Sequence, residues 1–154
     1  MKTFVRLLAT LGPVGYMPVA PATAGSAVVV VIGYFLPVPP LWIALVIIAV
    51  GAWLAVGLCG AAEKQLGHDA RPIIADEVVG QSLALLQVPH DPIAFLVSFV
   101  LFRIFDVWKP LGAREAQRLP GGLGVVVDDI IAGLTACGVF HLGIWGARAA
   151  GWVG

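Results

Sequence analysis

Five apolar stretches, at 26–36, 41–62, 78–88, 92–105 and 125–147, alternate with short polar or proline-containing segments along the chain. The stretch "LWIALVIIAVGAWLAVGLCGAA" at 41–62 has the length of a helix that crosses a hydrocarbon core of about 30 Å. Its small residues recur four apart, as in Gly51/Ala55 and Gly57/Ala61, a spacing that lets helices approach closely in lipid. Residues 26–36, "SAVVVVIGYFL", are too few for a straight crossing and predict a short helix supported by the Pro/Gly loop before it. "PVPP" turns the chain ahead of residue 41, and the polar loop 63–72 leads into a helical pattern that runs to Pro89. Asp91 before Pro92 reads as the cap of a helix continuing to about Trp108. After the loop "KPLGAREAQRLPGG", a last helix is expected from about Gly124 to Ala149. The pattern predicts an all-α fold, a small polytopic helical membrane bundle with short and broken helices, with 1–154 as a single membrane-embedded domain.

Composition supports the lipid bilayer as solvent, since 60% of the 154 residues are hydrophobic, 12% are charged and the mean hydropathy is +0.98. A net charge of zero gives no basis for a nucleic-acid partner. Cys59 and Cys137 stand alone in apolar segments, without metal-ligand spacing, and read as packing residues. The N-terminal "MKTFVRLLATLGPVGYMPVAPATAGS" has basic residues and an Ala-Thr-Ala triplet at 22–24, yet Gly12, Pro13 and Gly15 interrupt its apolar part. It therefore reads as part of the working chain rather than as a cleaved signal sequence.

Charge placement then orients the chain. Lys2, Arg6, Lys64, Arg71, Lys109, Arg114 and Arg118 fall at the start and in the two longer polar loops, and none falls in "PVPP" or "PHD". The basic segments are expected on the cytoplasmic side, and Asp76, Glu77, Asp106, Asp128 and Asp129 go with them to one membrane boundary.

A carboxylate at the centre of a membrane helix costs about 2.5 to 3.5 kcal/mol, so adjacent acids between valines and isoleucines in "GGLGVVVDDIIAGL" call for a compensating cation or water. Mg²⁺ suits such a set, because it prefers carboxylate oxygens, water and substrate phosphate, and Asp76, Glu77, Asp128 and Asp129 are its candidate ligands. Neighbours on a helix point about 100° apart, so Asp128 and Asp129 are not expected to chelate as a simple pair from one face. A plainer reading pairs Asp106 with Arg103 and Lys109, three residues away on either side. Thr23, Gly25 and Ser26 at a helix start could hold phosphate through hydroxyls and free amides, or simply cap the helix. Gly121 and Gly122 before the acidic pair carry the same two readings. Arg103 and Lys109 could clamp phosphate oxygens, and His68 beside Asp69 is either a solvated turn or a proton donor.

Four segments, "LATLGPVGYMPVAPATAGS", "GHDARPIIADEVVG", "FVLFRIFDVWKP" and "PGGLGVVVDDIIAG", occur in an order and at a spacing that resemble the phosphatidylglycerophosphatase A family over residues 7 to about 138. The resemblance implies a bacterial enzyme of the cytoplasmic (inner) membrane. Such an enzyme uses Mg²⁺ to hydrolyse the phosphate monoester of phosphatidylglycerophosphate, giving phosphatidylglycerol and inorganic phosphate. Matching positions are Pro21, Thr23, Gly25, Ser26, His68, Asp69, Asp76, Glu77 and Gly80. They continue with Arg103, Asp106, Lys109, Pro110, Gly121, Gly122, Gly124, Asp128, Asp129 and Gly133. Ala22 stands where the family usually has glycine.

On this reading Asp106 or Asp129 activates the attacking water, Arg103 and Lys109 orient phosphate oxygens, and Thr23, Gly25, Ser26, Gly121, Gly122 and His68 complete the phosphate cradle. The acyl chains of the phospholipid substrate are expected to stay in the bilayer, and the Gly/Ala helix faces leave a homo-oligomer open. A small cation- or proton-coupled transporter is the rival reading, because intramembrane acids on broken helices also serve transport. It fits less well, since the acids gather on one side and the spans 41–62 and 92–102 carry almost no polar residues.

Overall fold

The computed structural model describes residues 2–67, 70–109 and 112–152 and is all-α. In chain order the helices are α1 (Lys2–Ala9), α2 (Pro21–Phe35), α3 (Leu41–Leu66), α4 (Ala75–Ala84), α5 (Pro92–Trp108), α6 (Ala113–Ala116) and α7 (Gly122–Ala149), with a 3-10 turn at Val14–Tyr16. The short α4 is surrounded by α7, α3, α2 and α5, and its widest contact is with α7.

Two helices, α3 and α7, are long and apolar enough to cross a membrane. At 26 residues α3 is about 39 Å long, more than a hydrocarbon core needs. Only 11% of its most apolar stretch is buried, with Trp42, Ile47 and Trp53 turned outward. A soluble protein's core helix would hide that face; here the apolar surface looks out, as lipid allows.

Helix ends follow local chemistry. The Asp91 carboxylate accepts from the Ile93 and Ala94 amides at 2.9 Å, the cap read from the sequence. By contrast α2 begins at Pro21, five residues before the apolar run, because Pro21 takes the first helical position and Ala24 already donates to the Ala20 carbonyl at 3.0 Å.

The helical pattern expected up to Pro89 stops instead at Ala84, and Gln87 turns left-handed at φ 56°. The carbonyls freed there find side chains from other helices. Ser98 Oγ on α5 donates to the Ala84 carbonyl at 2.7 Å, and His141 Nε2 on α7 lies 2.9 Å from the Leu86 carbonyl. These contacts span 14 and 55 residues, beyond what local periodicity can show.

Glycines decide how closely α4 and α7 approach. A Cβ on Gly133 would lie 2.3 Å from the Gly80 carbonyl oxygen, and one on Gly80 would lie 2.7 Å from the Asp129 carbonyl oxygen. Only bare backbone fits at this crossing, and it brings the start of α4 against the first half of α7.

Candidate active site

The acids expected at one boundary do converge. Asp76 and Glu77 lie in the first turn of α4, where the helix dipole favours negative charge. Asp106 sits near the end of α5, and Asp128 and Asp129 lie two turns inside α7. All five line a cavity of about 220 Å³, together with Lys109, Gln117, Val107 and Val125. Four of the five are buried, Asp128 and Asp129 almost completely.

Within the cavity the carboxylates form two overlapping groups, Asp76/Glu77/Asp129 and Asp106/Asp128/Asp129. In each group one oxygen per residue lies within 4.8 Å of the others. Asp128 and Asp129 therefore do present oxygens to one place, contrary to the expectation from their 100° offset. Both residues line the same cavity, and the length of a carboxylate side chain is enough to bring their oxygens together with that of Asp106. Glu77 Oε2 and Asp129 Oδ2 are buried without a hydrogen-bond partner among the described residues. Buried acceptors that face one another are relieved by a proton or a cation, and an all-oxygen set of this kind fits a hard divalent ion.

Two basic side chains reach the cluster. Arg103 Nη1 pairs with Asp106 at 2.9 Å and donates to Ser26 Oγ at 3.4 Å, so it links α5 to α2. Lys109 does not pair with Asp106 as its spacing suggested; it crosses to α7 and pairs with Asp128. Lys109 caps α5 in a left-handed conformation at φ 53°, which turns its side chain away from its own helix. Burial alone would lower the Lys109 pKa, but the hydrogen bond and charge of Asp128, backed by Asp106 and Asp129, raise it above the usual lysine value.

The phosphate-cradle candidates divide. Thr23 lies in the first turn of α2 and faces a hollow shared with Arg103. Gly25 and Ser26 lie beyond the first four helical positions, so their amides are not among the free ones; only the Ser26 hydroxyl, which also donates to the Ala22 carbonyl at 3.1 Å, remains near Arg103. Gly25 faces Ile74, where a Cβ would come within 3.1 Å of its side chain. Gly122 faces α3, where a Cβ would lie 2.2 Å from the Val56 carbonyl oxygen, and the exposed Gly121 precedes it with φ 60°. The closeness that Gly25 and Gly122 permit is thus to other helices. His68, Asp69 and Pro110 lie outside the described residues.

Two glutamines escaped the sequence reading. Gln117 borders the acid cavity from the segment after α6, where nothing in "REAQRLP" marks it. Gln81 is fully buried one turn beyond Glu77, with neither amide atom hydrogen-bonded among the described residues. Its spacing, four residues after Glu77 and so on the same side of the helix, was the available signal.

The family model described as Phosphatidylglycerophosphatase A matches residues 7–144. A relative of that name from Escherichia coli (strain K12) is 33% identical over 130 residues, 82% of this chain and 76% of the relative. A second of that name, from Haemophilus influenzae, is 32% identical over 146 residues, 92% of this chain and 90% of the relative. A relative from Bacteroides thetaiotaomicron, which carries the provisional name phosphatidylinositol-3-phosphatase, is 34% identical over 128 residues, 78% of this chain and 80% of its own length. No solved structure matches the chain significantly.

Proposed function

Since the chain belongs to the phosphatidylglycerophosphatase A family of lipid phosphatases, we propose that it hydrolyses phosphatidylglycerophosphate to phosphatidylglycerol and inorganic phosphate, with Mg²⁺, at the cytoplasmic face of the inner membrane. The observation that carries this reading is the pair of carboxylate groups sharing Asp129 in one cavity beside Arg103 and Lys109. Acids alone would repel a phosphate monoester; acids that hold a cation, next to two basic side chains, can receive one.

Asp76, Glu77 and Asp129 would hold the metal, with Asp128 beside them through the second group that Asp129 joins, and the metal would supply Lewis-acid neutralisation of the phosphoryl oxygens. Arg103 binds and orients a phosphate oxygen from the α2 side, and Lys109 does so from the Asp128 side. Asp106, held by Arg103 on the cavity wall, accepts a proton from the attacking water as its oxygen bonds to phosphorus. The ester P–O bond breaks on the opposite side, and the departing lipid oxygen takes up a proton. One water is consumed, and one lipid alcohol and one phosphate are released.

The transporter reading gains nothing from this arrangement, because the acids share one end of the bundle and the outward face of α3 is apolar. A phosphoinositide monoester is the second substrate to test, given the name of the Bacteroides relative. The experiment is phosphate release by the purified full chain from phosphatidylglycerophosphate and from phosphatidylinositol 3-phosphate, with Mg²⁺ and with chelator, alongside Asp76→Asn. Chelator-sensitive release from phosphatidylglycerophosphate, lost in Asp76→Asn, is expected. Release from the phosphoinositide alone would move the substrate, and release from neither, by folded protein, would end the phosphatase reading.

A further inference from the structure

Outside the acid cavity, an open trench follows α5, with α2 on its other side. Its first segment, about 690 Å³, lies among Thr23, Phe99, Arg103, Ile104, Val107 and Trp108. Its second, about 360 Å³, continues between Ala27, Val30 and Val31 on α2 and Pro92 and Phe95 on α5. Phe99 borders both segments, and Val107 borders both the first segment and the acid cavity. Acid cavity, basic mouth and apolar trench thus adjoin one another in that order.

We propose that this trench binds one acyl chain of the phospholipid substrate, with the phosphate end of the lipid at Arg103. The proposal rests on the reading of the acid cavity as a lipid phosphatase site and, in place of the expectation that both acyl chains stay in the bilayer, lays one of them against the protein.

Charge matches the direction. The mouth carries the Arg103 guanidinium and the Thr23 hydroxyl, both suited to phosphate, whereas no Asp, Glu, Lys or Arg lines the second segment. Length matches as well. Pro92 and Arg103 are eleven residues apart on α5, so the trench runs about 17 Å, close to half of a hydrocarbon core of about 30 Å. A chain that starts at headgroup level would reach the midplane within it.

A second apolar hollow provides the contrast. Between α5 and α7, about 450 Å³ is lined by residues such as Val97, Leu101, Val139 and Phe140. Its charged group is the Asp91 carboxylate at the opposite end of α5, which repels phosphate and lies far from the acids. Similar apolar walls therefore lack the feature that would select a phospholipid.

Val31, on an exposed part of the trench, can be enlarged without entering the protein core. Val31→Trp is compared with Val97→Trp in the other hollow, using detergent-purified full-length protein. The substrates are dioleoyl and dihexanoyl phosphatidylglycerophosphate. Displacing a few methylenes should raise KM for the dioleoyl lipid about tenfold in Val31→Trp, with kcat and the dihexanoyl KM within about twofold of wild type. Val97→Trp should leave both substrates within about twofold.

Equal effects of the two tryptophans, or equal loss on both lipids, would overturn the acyl-chain assignment. So would a Val31→Trp protein that has changed oligomeric state by light scattering, which would make the trench a subunit interface. A phosphatidic acid with a mid-chain diazirine, photolysed with wild-type protein, tests the site independently of turnover. Labels concentrated on Val30, Val31, Phe95 and Phe99 support it, and labels spread equally over Val97 and Val139 overturn it. Failure to hydrolyse either lipid, with the label still in the trench, would count against the phosphatase reading and not against the binding site.

Discussion

The two ends of the helix cluster complete their polar groups in opposite ways. At the end formed by the close of α4 and the start of α5, the polar groups serve the backbone. Ser98 caps the Ala84 carbonyl, His141 meets the Leu86 carbonyl, His90 Nε2 lies 2.7 Å from the Tyr34 carbonyl, and Asp91 caps α5. Each meets a backbone group that a helix end leaves without an intrahelical partner. At the other end five carboxylates face one another across a cavity, and Glu77 Oε2 and Asp129 Oδ2 find no hydrogen-bond donor among the described residues. The first end is satisfied by the chain itself, and the second keeps buried carboxylate oxygens that a bound cation would satisfy. Ser98, as buried as any of the acids, shows that burial alone does not mark the site; what differs is whether the chain itself supplies the partner.

Asp129→Asn breaks this contrast most severely, because Asp129 belongs to both carboxylate groups. Phosphate release should fall about 10³-fold or more, on the scale of losing a central electrostatic contact in a phosphoryl transfer site. The apoprotein should not lose thermal stability, since one buried like charge is removed. Addition of Mg²⁺ should raise the Tm of the wild type, by binding only the folded state, and leave that of Asp129→Asn nearly unchanged. Equal Mg²⁺-dependent stabilisation of both proteins would remove Asp129 from the metal site.

Gly133→Val comes next, since it attacks the crossing that assembles the acids rather than the acids themselves. Its Cβ would fall 2.3 Å from the Gly80 carbonyl oxygen, so α4 and α7 must part. Overpacking of this kind costs about 1–3 kcal/mol or more, and here it also draws Asp76 and Glu77 away from Asp129. Activity should drop more than the fall in folded protein accounts for, with Mg²⁺-dependent stabilisation weakened in parallel. Gly138→Val, on the same helix where nothing lies within 4 Å of a Cβ, is the matched control and should retain both.

The sequence disclosed these two ends unequally. The limits of α3, α5 and α7 were legible to within a few residues, because Pro40, Asp91, Pro92 and the glycines around 121–124 punctuate long apolar runs. The acid cluster was legible because carboxylates at 76, 77, 106, 128 and 129 have no reason to stand in lipid-compatible helices unless something gathers them. What a one-dimensional pattern could not show was partner choice across space. Lys109 has Asp106 three residues away, yet it pairs with Asp128 on another helix, and α4 stops at Ala84 because side chains 14 and more residues distant take over its carbonyls. Glycines 25 and 122 suggested a phosphate cradle because glycine signals close approach, and sequence alone does not say to what.

The smallest effect on turnover is expected at the satisfied end, where Ser98→Ala and His141→Phe each remove a donor from a carbonyl of the α4 terminus. Ser98 is completely buried, so its loss leaves the Ala84 carbonyl without that donor in an apolar setting, a cost of about 1–3 kcal/mol. His141 is only partly buried, and Cys137 Sγ stands 3.8 Å from the same Leu86 carbonyl, so His141→Phe should cost less. Both variants should unfold at lower temperature, Ser98→Ala the lower of the two, while kcat, KM and the Mg²⁺ requirement of the folded fraction stay within about twofold of wild type. A selective fall in kcat for either would join the two ends energetically, because α4 carries the freed carbonyls at one end and Asp76 and Glu77 at the other. A ten-residue helix is short enough to transmit such a shift as a rigid rod, so unchanged kcat in a destabilised variant is the result that keeps its two ends separate in function.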